Sequence, residues 1–126
     1  MKKTITLFLL LFSFYAKSQD VIFCERVDPS GKAVNESRFF KISPKGGFFD
    51  VLVKLSRPVQ SQEVVFDIYH KSNGKEDFIN SVRMKINPFA TWFYKEITFY
   101  LKGEYVIYVF DEKDKLLGTG SVKIGM

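Results

Sequence analysis

The chain has 126 residues, 46% of them apolar and 26% charged, with 19 Lys and Arg against 14 Asp and Glu. That length builds one hydrophobic core, and that composition excludes a disordered or low-complexity polymer. A single Cys excludes a disulfide framework within the chain, and a single His narrows the catalytic and metal classes that need several such residues.

Residues 1–18 read as an address. Lys2 and Lys3 precede an apolar run over residues 5–15, broken only by Thr6 and Ser13, and Ala16-Lys17-Ser18 then places small residues where a signal peptidase requires them. The run is about 11 residues where a membrane span needs about 20, so no span is expected. The expectation is a cleaved signal peptide, 1–18, ahead of one domain, 19–126, exported to the periplasm or the exterior. Cys24 follows soon after, but Val21-Ile22-Phe23 is not the small-residue lead of a lipoprotein. Three of the 19 basic residues and none of the acids lie in 1–18, so the remainder carries 16 against 14, a net charge of +2. A nucleic-acid partner needs a concentrated basic face, and none is expected here.

Beyond Gln19 no helical period is sustained. Short segments rich in Val, Ile, Phe and Tyr predict strands over 21–27, 38–42, 48–55, 63–70, 78–86, 92–100, 104–111 and 116–124. The punctuation between them has a mechanism: Pro presets φ in Asp28-Pro29, Pro44, Pro58 and Asn87-Pro88, and Asn73-Gly74 accepts the positive φ of a tight hairpin. Alternation assigns faces. Phe49, Val51, Val53 and Leu55 share the inward side of one strand, and Val82, Met84 and Ile86 alternate with Arg83 and Lys85 on another. Outward basic residues at that spacing suit an edge strand.

Leu101-Lys102-Gly103-Glu104-Tyr105-Val106-Ile107 sets a Gly, a Tyr two residues later, and an apolar residue after two more. This resembles the tyrosine corner of immunoglobulin-like domains, where the Tyr hydroxyl ties the preceding loop. The resemblance implies an all-β, two-sheet antiparallel immunoglobulin-like sandwich of seven to eight strands. The paired cysteines of antibody-type domains are absent, with Ile107 at one of the two positions, so the architecture is what is implied. The outline is also similar to the C-terminal sorting domains of bacterial secretion cargo, small sandwiches with a Gly-x-Tyr strand near the end.

Catalytic and metal chemistry finds little to stand on. A Ser-His-Asp arrangement needs a His as base, and His70, the sole one, ends a strand beside the Asn73-Gly74 turn. Zinc needs about three ligands, and Cys24 and His70 lie on separate strands; Cys24 is expected to be buried. Asp111-Glu112-Lys113-Asp114 has the form of a hard-cation loop, but its interleaved lysines read as a polar hairpin. No cofactor and no metal are expected.

Surface aromatics remain. If strands 63–70, 104–111 and 116–124 keep Val64, Phe66, Ile68, Tyr105, Ile107, Val109, Val122 and Ile124 inward, parity puts Val65, Tyr69, Val106, Tyr108, Phe110 and Leu117 outward as one apolar face. Asp67 and Thr119 would border it. The expectation is an exported, non-enzymatic module that binds a protein partner or a second copy of itself through that face. Glycan stacking by Trp92, Tyr94 and Tyr100 is the alternative, and a stand-alone relative of the sorting domain is a further one.

Overall fold

The structure, a computed structural model, describes residues 20–126; the signal peptide expected over 1–18 lies outside the described residues. Nine strands follow in order: β1 Asp20–Val27, β2 Ala33–Glu36, β3 Phe39–Lys41, β4 Gly47–Lys54, β5 Glu63–Ser72, β6 Lys75–Lys85, β7 Trp92–Phe99, β8 Gly103–Asp111 and β9 Leu116–Gly125. They make a four-stranded sheet in the order β2-β1-β4-β7 and a five-stranded sheet in the order β3-β9-β8-β5-β6. The two sheets pack face to face as an all-β sandwich. No helix among the described residues is long and apolar enough to cross a membrane.

Alternating side chains of both inner faces meet in the core. Phe66 on β5 meets Phe93 on β7 edge-on at 6.0 Å, and Phe40, Phe49 and Phe99 form a stack with centroids 4.3 and 4.9 Å apart. Val21, Phe23, Val51, Val53, Ile107, Val109, Val122 and Ile124 are among the other residues buried with them. Burial of this apolar area is the main stabilising term.

Eight of the nine strands fall where alternation and turn chemistry put them. The ninth, β2, is a four-residue Ala-Val-Asn-Glu segment whose Asn35 holds a left-handed φ of 57°, so propensity gives it no signal. Its neighbour β3 pairs with β9 in parallel, Phe39 opposite Lys123, the single parallel pair among the described strands. Between β2 and β3 the chain switches sheets. The Ser37 N–H donates to the Phe23 carbonyl of one sheet at 2.9 Å, and the Lys123 N–H of the other donates to the Arg38 carbonyl at 2.8 Å.

The outer face of the four-stranded sheet is roofed. Cys24, Asp50 and Leu52 all point away from the core yet are buried, because the turn after β1 reaches across to β7. A Cβ at Gly31 in that turn would come within 2.7 Å of the Trp92 ring. Asp28 organises the turn, its Oδ1 accepting the Ser30 N–H at 2.9 Å and the Lys32 N–H at 3.0 Å. These bonds hold its carboxyl below the ordinary value. Beneath the roof, burial pushes the Asp50 carboxyl up, and the neighbouring Glu96 adds to the shift. Cys24 is a free, buried thiol, and its Sγ donates to the Asp50 carbonyl at 3.8 Å.

Candidate functional site

The outward face expected from parity forms only in part. Val65, Tyr69, Tyr108 and Phe110 lie half-buried on the outer side of the five-stranded sheet, and Val106 beside them is buried. Tyr69 packs edge-on against Tyr108 at 5.4 Å and against Phe78 at 5.6 Å. The Tyr108 hydroxyl donates to Glu76 Oε1 at 2.7 Å, a bond that raises its pKa. Asp67 accepts from the Ser81 hydroxyl. Leu117 does not belong to this face. The β8–β9 register shifts after Val109, so that Phe110 lies opposite Leu116; the extra residue reverses parity and sends Leu117 into the core.

The three aromatics expected to stack on a glycan are not brought together. Trp92 and Tyr100 bracket β7, eight residues and roughly 26 Å apart along an extended chain. Trp92 is engaged by Gly31, and Tyr100 lies against Gly46, where a Cβ would come within 2.9 Å of its ring. Tyr94 stands between them, and both it and Tyr100 are exposed.

A concavity lies elsewhere, between the free edges of the two sheets. Strand β6 closes one sheet and β7 the other. The resulting cleft has a volume of about 540 Å³ and is lined by Ile68, His70, Ile79, Asn80, Val82, residues 96–101 and Tyr105. Ile79 is there because of a bulge. The β5–β6 pairing steps from Ile68–Asn80 to Tyr69–Phe78, leaving Ile79 unopposed and 54% exposed at the cleft wall. Leu101, on the far wall, is 68% exposed.

The tyrosine-corner motif builds the cleft floor. The Tyr105 hydroxyl donates to the Leu101 carbonyl at 2.8 Å, fixing the loop that carries Tyr100 and Leu101. Burial raises the pKa of this hydroxyl, which keeps it a donor. His70 packs edge-on against the Tyr105 ring at 5.1 Å and is half-buried. It fits only because residue 103 is Gly: φ there is +143°, and a Cβ would collide with His70 Nε2. The cleft therefore joins apolar walls to a few polar residues, with His70 and Asn80 on one side and Glu96 and Thr98 on the other.

Elsewhere the carboxylates are dispersed. Asp111 Oδ1 accepts the Lys113 N–H at 2.8 Å and the Lys115 N–H at 2.9 Å, so this acid closes its own hairpin. Among the described residues no three of His, Cys, Asp and Glu are grouped to hold a metal ion.

No protein-family model matches the chain, and no curated protein is similar to it in sequence. Among solved structures it is similar to superoxide reductase (neelaredoxin) from Ignicoccus hospitalis, at 11% identity and a TM-score of 0.46 over 85% of this chain and 80% of that chain. A variant of the same protein aligns at 12% identity and a TM-score of 0.42, over 85% and 79%. Those structures are enzymes by name, and the expectation of a non-enzymatic module is not carried forward beside them. The likeness itself assigns no activity to this chain.

Proposed function

We propose that the inter-sheet cleft takes in a small amphipathic molecule, its apolar body between Ile79 and Val82 on one side and Ile97 and Phe99 on the other, its hydrogen-bonding head at His70 and Asn80. The observation that carries this reading is an apolar concavity of about 540 Å³ whose wall residues Ile79 and Leu101 are left in solvent. Ligand sites are concave, mostly apolar and furnished with a few polar groups, at volumes of about 300–1,000 Å³. The leader-like 1–18 segment supports placing this activity outside the cytoplasm.

Anilinonaphthalene sulfonate, an apolar dye with an anionic head, serves as the probe. Its emission should rise and saturate at one site per chain, and dodecanoate should displace it. Val82→Trp, which fills the cleft from a half-buried position, should weaken binding by at least about tenfold; dye affinity unchanged in that variant would remove the cleft as the site.

A further inference from the structure

A second groove lies at the other end of β8 and stands independently of the cleft. It has a volume of about 530 Å³ and runs between the β4–β5 connection and the β8–β9 hairpin. Three cations line it, Arg57 from the first segment and Lys113 and Lys115 from the second, against one acid, Asp111. That acid is oriented into its own turn, its Oδ1 accepting two N–H groups, and its single negative charge is outnumbered by the three cations. The ion pair formed among the described residues joins Arg83 to Glu63 at 3.1 Å, so none of the three groove cations has a carboxylate partner within those residues. Their charges are left to face the groove.

The walls are fixed without any ligand. On one side the Leu55, Val59 and Gln60 N–H groups donate to the carbonyls of Thr91, Ala90 and Pro88 at 2.8–2.9 Å. On the other, the Asp111 N–H donates to the Lys115 carbonyl at 3.0 Å, which closes the hairpin and sets both lysines on one short turn. Two separately anchored segments thus present like charges across a shared gap, an arrangement that raises the local potential and attracts anions. Arg57 offers a planar fork suited to tetrahedral oxyanions, and the lysines act as point charges beside it.

We propose that this groove binds a small polyanion, a molecule carrying phosphate or sulfate groups, through Arg57, Lys113 and Lys115. Titration of the protein with pyrophosphate, followed by amide NMR shifts, tests it. Shifts should concentrate on residues 55–60 and 111–119, and affinity should fall as sodium chloride is added. Joint substitution Lys113→Gln with Lys115→Gln should weaken binding about tenfold, Arg57→Gln should weaken it alone, and Glu112→Gln should not weaken it. The three cationic side chains are exposed and bonded to nothing in the core, so the variants fold; an unchanged near-ultraviolet circular dichroism spectrum checks this. Absence of pyrophosphate binding, or equal affinity in the double variant, overturns the site. Vesicles of phosphatidylglycerol form a separate arm: capture by them without pyrophosphate affinity would place the cations on a lipid surface and overturn the small-ligand groove.

Discussion

The two edges of the sandwich are finished in opposite ways. On one, residues 33–41 cross from sheet to sheet, and β9 comes so close to β1 that a Cβ at Gly120 would lie 3.1 Å from Phe23 and Val21. On the other, β6 and β7 part, and apolar wall residues are left to solvent. The outer faces differ in the same sense. The β1–β2 turn roofs Cys24, Asp50 and Leu52, while Tyr69, Tyr108 and Phe78 lie on a face bordered by exposed β6. The difference teaches where the chain invests its stability and where it leaves room for a ligand: the N-terminal segment closes what it touches, and the β5–β6 hairpin projects.

That contrast can be broken or sharpened by mutation. The largest effect is expected from Leu52→Ala, because a side chain with 0% exposure leaves a cavity; about 2–5 kcal/mol of unfolding free energy should be lost in urea titration. On the projecting side, Phe78→Ala, at a residue 57% exposed, should cost under about 1 kcal/mol. Comparable losses at the two positions would erase the distinction. Next comes Gly120→Val, which overpacks the closed edge and should cost about 1–3 kcal/mol in the same assay. Gly74→Ala in the β5–β6 turn meets no atom within 4 Å and carries only the strain of φ +77°, about 1 kcal/mol.

A pH effect follows from the roof. Burial holds the Asp50 carboxyl above its ordinary value, so between the unfolded and folded pKa values the native state retains a proton that the unfolded chain releases. Stability therefore declines as pH rises through that window, from the ordinary Asp value upward. Asp50→Asn should flatten the decline in urea midpoints measured across acidic pH; an unchanged slope would mean that the roof leaves Asp50 solvated. The smallest effect belongs to the bare face, where Tyr108→Phe deletes an exposed bond to Glu76 and should shift the midpoint by less than about 0.5 kcal/mol.

Much of the fold is legible in the chain because local signals agree. Asn73 and Gly74 take φ of 54° and 77°, the two-residue turn that Asn-Gly favours, and the outward Arg83 and Lys85 do mark an edge strand. Tyr105 ties its loop as the Gly103-Glu104-Tyr105 motif implies. What escapes is whatever depends on a register slip or on a distant partner. Parity carries Leu117 to the wrong face because it is itself the bulge residue, unopposed between Leu116 and Gly118, and it carries Leu52 to a face that the folded Gly31 turn covers; Cys24, on that same face, is buried as expected. The cleft escapes for the same reason. Its wall at Ile79 is created by a bulge, and no pattern within 75–85 announces that β7 will stand off from β6.

That bulge reaches beyond the cleft. An open sheet edge eleven residues long is a template on which a foreign strand, or a second copy of β6, can add itself hydrogen bond by hydrogen bond. Displacing Ile79 breaks the repeat midway, so an incoming strand in register with residues 80–85 runs out of register by Phe78. The charges of Lys75, Glu76, Asp77, Arg83 and Lys85 guard the two halves on either side. The irregularity that sets Ile79 at the cleft wall is thereby also one that interrupts edge-to-edge strand addition.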